Sequence, residues 1–176
     1  VLELCCGTGT LARKLSQQGY ELICCDASPE MLNIAREKCA DLPVPPVWIC
    51  QEAAELDLYG TVRAAVCCLD SVNYFTDLRE LKEVFARVSL FLESGGLFLF
   101  DVKSQEMFRQ LGGTSSIQEE EDLFCTWQYG FDSRSGHAQH QVDMFVEQEG
   151  SYVRFTEWHE QRAYSAETLK TSLEQA

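Results

Sequence analysis

The chain has 176 residues, 45% hydrophobic and 24% charged. That is room for one domain with a real core, and it excludes a disordered or fibrous chain. Lys and Arg number 14 against 28 Asp and Glu, and this net charge of −14 is spread over both halves, which argues against a duplex nucleic-acid partner.

Residues 1–6 read as a short buried strand running into Gly7-Thr8-Gly9. Residues 10–18 read as a helix with Leu11, Ala12 and Leu15 on one face and Gly19 as its stop. Residues 20–25 form a second apolar run that ends at Asp26. Ser28-Pro29-Glu30 is a helix start: a capping hydroxyl, Pro at the first helical position and an acid in the first turn. Pro43, Pro45 and Pro46 prevent that helix from continuing. A third apolar run, 47–50, leads into Gln51-Glu52, and a fourth, 64–69, ends at Asp70. Asp77 caps a long helix with Leu78, Leu81, Val84, Phe85, Val88 and Leu92 at helical spacing. Glu93-Ser94-Gly95-Gly96 stops it, and 97–100 is a fifth strand.

Strands that are continuous apolar runs, alternating with helices, predict a parallel sheet covered on both faces, a doubly wound α/β fold. After Lys103 the pattern changes to extended stretches with period two at 123–131, around 142–146 and at 152–164. Turns at Asp132-Ser133-Arg134-Ser135-Gly136 and Glu149-Gly150 separate them, so an antiparallel three-stranded insert is expected. Trp127, Tyr129, Phe131 and Trp158 read as its core. Gln118 to Asp122 reads as a solvated acidic loop, and Ser165 caps a final helix. No stretch approaches the roughly 18 consecutive apolar residues of a membrane-crossing helix.

The nine cysteines include the adjacent pairs Cys5-Cys6, Cys24-Cys25 and Cys67-Cys68. An odd count with adjacent pairs fits reduced thiols in a cytoplasmic protein rather than a disulfide framework. Neither the cysteines nor the three histidines show a zinc spacing, so no metal site is expected.

Four positions carry chemistry, each at the carboxyl end of an expected parallel strand, where open α/β sheets bind ligands. Gly7-Thr8-Gly9 lets a ligand approach the backbone closely. Asp26 can accept hydrogen bonds from both hydroxyls of a ribose. Glu52 can accept from an exocyclic amine of adenine while a backbone N–H such as that of Ala53 serves a ring nitrogen. Asp70-Ser71-Val72-Asn73-Tyr74 follows the fourth strand.

Here the chain resembles a known family. Glu3-Leu4-Cys5-Cys6-Gly7-Thr8-Gly9 is similar to the first motif of class I S-adenosylmethionine-dependent methyltransferases. Asp26-Ala27-Ser28-Pro29-Glu30-Met31-Leu32 matches their second-strand acid and the helix after it. Leu69-Asp70-Ser71-Val72-Asn73-Tyr74 and His159-Glu160-Gln161-Arg162-Ala163-Tyr164-Ser165 resemble a small bacterial subgroup with an antiparallel insert after strand five. Cys5 replaces the usual first glycine, and Glu52 stands where many members have Asp. Members usually carry a helix before the first strand and two strands after the last helix, so on this comparison the chain reads as trimmed at both ends.

The resemblance implies an S-adenosylmethionine cofactor, with S-adenosylhomocysteine as product. It implies a cofactor site of Cys6, Gly7, Thr8, Gly9, Asp26, Ala27, Met31, Glu52, Ala53, Leu69 and Asp70. Acceptor-side candidates are Asn73, Tyr74, His159 and Arg162, and catalytic candidates are Asp70, Tyr74 and His159. The methyl acceptor is expected to be a small molecule. Residues 1–103 would be the cofactor-binding core, 104–164 an insert or lid, and 165–176 the start of a returning core helix. Two other readings stand beside this one: a nicotinamide-dependent oxidoreductase on the same type of sheet, and a non-catalytic pseudomethyltransferase.

Overall fold

The computed structural model describes residues 1–121 and 123–176. Two compact units emerge: 1–72 with 77–102 and 169–176, and 73–76 with 103–168.

The first unit is a five-stranded sheet of β1 (Leu2–Leu4), β2 (Ile23–Asp26), β3 (Val47–Cys50), β4 (Val62–Cys67) and β5 (Leu92–Phe100). The order is β3-β2-β1-β4-β5 and every pairing is parallel. The chain winds one way from β1 to β3 and the other way from β4 to β5, so the strand order reverses between β1 and β4. Such a switch point opens a crevice beyond the carboxyl ends of the two strands. Leu2, Leu4, Cys24 and Ala65 on the central strands are fully buried or nearly so. Each large apolar side chain removed from water there stabilises the fold by about 1.5–3 kcal/mol.

Helix α1 (Thr10–Gln17) begins at Gly9. Helix α2 (Pro29–Lys38) is capped by Ser28, whose Oγ accepts from the Met31 N–H at 3.1 Å. Helix α3 (Leu78–Phe91) is capped by the Asp77 carboxylate and buries Leu81, Val84, Phe85, Val88 and Phe91. Its Phe85 meets Phe98 and Phe100 of β5 at centroid distances of 5.9 and 5.6 Å. The opposite face of β5 departs from the expected two-sided burial: Leu97 and Leu99 are exposed. An apolar run reports that a strand belongs in a sheet, not what lies over each face.

The second unit holds α4 (Gln105–Leu111) and an antiparallel sheet of β6 (Ser115–Glu120), β7 (Leu123–Phe131), β8 (His137–Gln148) and β9 (Ser151–Arg162). The insert therefore has four strands where three were expected. The added strand takes in part of the acidic run read as a loop: Gln118, Glu119 and Glu120 pair with Cys125, Phe124 and Leu123, while Asp122 lies outside the described residues. All six residues of β6 are exposed, so it carries no apolar alternation to announce it, and its charges guard an open sheet edge. Helix α4 also lacked a periodic signal at seven residues, although Ser104 caps it through the Met107 N–H. Between β8 and β9, Glu149 and Gly150 both have positive φ, the two-residue hairpin geometry that matches strand twist. Trp158 is not core: it lies on edge strand β9 and is 68% exposed. Helix α5 (Ala166–Glu174) starts where the Ser165 Oγ accepts from the Thr168 N–H. No described helix is long and apolar enough to cross a membrane.

Candidate functional site

Beyond β1 the backbone turns through left-handed geometry at Cys5 (φ 55°), Gly7 (φ 54°) and Gly9 (φ 71°). A side chain in that region costs about 1–2 kcal/mol, so Cys5 stores local strain at the end of the strand. The two glycines serve different ends. A Cβ on Gly7 would meet nothing within 4 Å, whereas one on Gly9 would lie 2.9 Å from the Ala35 Cβ and 3.1 Å from the Trp48 ring. Gly9 thus lets α1 pack against α2 and β3, and Gly7 leaves open space above the loop. Lys38 ties the loop down by donating to the hydroxyls of Thr8 and Thr10 at 2.9 Å each.

Asp26 ends β2 beside this loop. The Gly7 N–H donates to its Oδ2 at 2.7 Å and the Ser28 N–H to its Oδ1 at 2.9 Å. Each oxygen can accept a further hydrogen bond, so the carboxylate is fixed in place with capacity to spare.

Beyond β4, Leu69 (φ 59°) and Asp70 (φ 51°) are consecutive non-glycine residues in the left-handed region. The Asp70 N–H donates to Asp101 at 2.9 Å, and the Ser71 hydroxyl donates to the Cys68 carbonyl. Strain held by such contacts is a mark of functional loops. A cleft of about 510 Å³ lies at the switch point between the two strands, and of the expected cofactor residues Cys6, Gly7, Thr8 and Leu69 line it. Asp26 joins them through its bond to Gly7. Gly9, Ala27, Met31, Glu52, Ala53 and Asp70 do not line that cleft. Met31 is exposed on the first turn of α2; Glu52 is exposed before the turn Ala53–Glu55, and Ala53 is buried.

In the second unit the four acceptor-side candidates form two hydrogen-bonded pairs, Tyr74 with His159 and Asn73 with the Arg162 carbonyl. The Tyr74 hydroxyl lies 3.2 Å from the His159 Nδ1. Asn73 is fully buried, donates to the carbonyls of Lys103 and Arg162 and accepts from the Lys103 N–H. Its amide holds the backbone frame. Arg162 donates to the Thr76 carbonyl at 2.9 Å. His159 stacks on His140, with centroids 4.7 Å apart and planes at 11°, and its Nε2 lies 3.4 Å from Glu157. His140 was not anticipated, because only the β8–β9 register brings the two rings together.

Glu3 was also passed over as a site residue. It lines the cleft and is buried in β1. Burial first, and the charge of Asp26 further down, push its carboxyl up to about 7; a hydrogen bond from Cys24 pulls the other way. An acid inside an apolar strand was the signal available. Its folded-state value exceeds the ordinary 4.5, so the folded chain holds this proton more tightly than the unfolded one. Stability from this group is full below pH 4.5 and is lost as pH rises through about 7. Glu3→Gln is therefore expected to add about 3 kcal/mol at pH 8 and almost nothing at pH 4. Urea unfolding of both proteins at the two pH values measures this; an equal effect at both would contradict it.

All nine cysteines are free. Cys5 is raised by its hydrogen bond with Cys67 and then by burial, and Cys25 is pushed up to about 12 by burial first. The Cys5 and Cys25 thiols stay neutral and are not poised as nucleophiles.

A family model described as "Methyltransferase domain" matches residues 1–96. YqeM of Bacillus subtilis (strain 168), a methyltransferase by name, is 32% identical over 175 residues, 98% of this chain and 70% of that protein. The chain belongs to the class I S-adenosylmethionine-dependent methyltransferases. An S-adenosylmethionine-dependent methyltransferase from Clostridium acetobutylicum superposes with a TM-score of 0.90 at 33% identity, covering 98% of this chain and 70% of that one. The sugar N-methyltransferase KedS8 from Streptoalloteichus shares the fold, with a TM-score of 0.82 at 21% identity over 99% of this chain and 69% of its own.

The methyltransferase's cofactor, S-adenosylmethionine, carries a sulfonium cation and no phosphate. The groups present fit it: an anchored carboxylate at Asp26, a buried acid at Glu3, and open backbone at Gly7. A basic phosphate clamp is not what such a ligand needs.

Proposed function

We propose that this methyltransferase transfers a methyl group to a small-molecule acceptor by in-line displacement. The observation that carries the donor half is the Asp26 carboxylate, pinned by Gly7 and Ser28 at the end of β2. In this reading Asp26 accepts from the ribose hydroxyls. Cys6, Gly7 and Thr8 let the methionine end approach the backbone, with Gly9 fixing the helix behind them. Ala27 and Met31 pack along adenine, Glu52 and Ala53 hold its edge, and Leu69 and Asp70 bracket the reactive methyl. Residues 1–103 form the donor-binding core, 104–164 the insert or lid, and 165–176 the start of the returning helix.

When bound, S-adenosylmethionine supplies a methyl already activated on sulfur. The protein's task is alignment and exclusion of water, and alignment is worth about 7–11 kcal/mol. An acceptor that arrives protonated also needs a base. In this reading His159, whose ring lies beside the Tyr74 hydroxyl and Glu157, takes that proton, and Tyr74 and Arg162 orient the acceptor. The charge of −14 supports a small acceptor over a nucleic acid.

The test is release of S-adenosylhomocysteine in the presence of panels of small amines, alcohols and sugars, with short RNA in parallel. Turnover is expected with a small molecule and not with RNA. His159→Ala should lower kcat/KM by about 10²–10⁴ for a protonated acceptor. Turnover on RNA alone would overturn the acceptor reading, and an unchanged kcat/KM would remove His159 from the mechanism.

A further inference from the structure

We propose that Lys38 is a positioning residue for cofactor binding: it sets the loop after β1 in its binding shape without lining the cleft itself. The proposal rests on the placement of S-adenosylmethionine in the cleft at the β1–β4 switch point. Lys38 is the last residue of α2, and its half-buried side chain donates to the Thr8 and Thr10 hydroxyls at 2.9 Å each. Those two threonines, 30 and 28 residues away in sequence, both line the cleft. In a chain with 28 acids against 14 bases, an ammonium is expected beside a carboxylate. Among the described residues none lies within ion-pair range of Lys38. Its charge is committed to two neutral hydroxyls instead. An ammonium only donates, so each threonine oxygen accepts and keeps its own hydrogen for another partner. At Thr8 that leaves a hydrogen-bond donor on the wall of the cleft.

Docking of the two helices does not depend on this ammonium. Arg13 of α1 donates to the Lys38 carbonyl and pairs with Asp41 at 2.8 Å. Gly9 packs on Ala35, one turn before Lys38. What the ammonium adds is a hold on the loop. Cys5, Gly7 and Gly9 keep that loop in left-handed geometry, and such strain persists only where the surroundings over-determine it. Without Lys38 the binding shape is a fraction of the population, and affinity falls by that fraction.

Calorimetric titration of the full chain with S-adenosylhomocysteine tests this. Lys38→Met removes the ammonium but keeps an apolar stem and a good helix former. It should bind about tenfold more weakly, the low end for a hydrogen bond from a charged group. Its ligand-free Tm should fall by no more than about 4 °C, as for the loss of a solvent-exposed tie. Arg13→Leu cuts the helix–helix tie and leaves both hydroxyls alone. It should lower Tm and keep the affinity within about twofold. In a protein already carrying Thr8→Val and Thr10→Val, Lys38→Met should change affinity by less than about twofold, because its route to the cleft is gone. An undiminished loss in that background would mean that Lys38 acts on the ligand by charge alone, and would overturn the proposal. Unchanged affinity in Lys38→Met, or an equal loss in Arg13→Leu, would overturn it as well. Should Lys38→Met not fold, Lys38→Gln, shorter and uncharged, takes its place in the same comparison. Failure of the unaltered protein to bind S-adenosylhomocysteine would instead sink the cofactor placement, and this proposal with it.

Discussion

Asp26→Ala is expected to weaken S-adenosylhomocysteine binding by about two to four orders of magnitude. Hydrogen bonds to a charged group contribute about 1.5–3 kcal/mol each, and the reading gives Asp26 two ribose hydroxyls. The substitution also strips the Gly7 and Ser28 N–H groups of their acceptor, so the loop loses the contact that shapes it. Asp26→Asn should fall between the two proteins: it keeps one acceptor oxygen but turns an NH₂ toward a backbone donor. Calorimetric titration measures both. An affinity for Asp26→Ala within twofold of the unaltered protein would remove the ribose assignment.

Gly9→Ala should cost stability, and Gly7→Ala should cost binding. At Gly9 a methyl group adds left-handed strain of about 1–2 kcal/mol to overpacking of about 1–3 kcal/mol against Ala35 and Trp48. A loss of about 3 kcal/mol lowers Tm by about 6–12 °C in a chain of this size. At Gly7 the strain term stands alone, because the new methyl has open space, and Tm should fall by only about 2–8 °C. That space is where the cofactor reading puts the methionine end, so the affinity loss should be the larger of the two. Thermal unfolding with and without ligand separates the effects. Equal losses of stability would contradict the division of labour between the two glycines.

Much of the parallel sheet was legible in the sequence. Short apolar runs that end in Gly7, Asp26, Glu52 and Asp70 mark strand ends, and a parallel sheet gathers its strand ends on one edge. The spacing did not distinguish Gly7 from Gly9, since that difference depends on what packs behind each. Glu3 was visible as an acid inside a buried strand, but its raised protonation follows from how little water reaches it. The insert was harder to read. Residues 115–120 are uniformly polar because that strand forms an exposed edge, and α4 spans fewer than two full turns of periodic signal. Trp158 reads as core by residue type and is exposed because its strand is an edge. The His140–His159 stack depends on a β8–β9 register that no local pattern encodes.

The most direct measurement is a crystal structure with S-adenosylhomocysteine. The account predicts the ribose hydroxyls on the Asp26 carboxylate, the methionine end over Gly7, and the thioether sulfur in the cleft beside Leu69. A ligand seated elsewhere, with Asp26 contacting only Gly7 and Ser28, would contradict it.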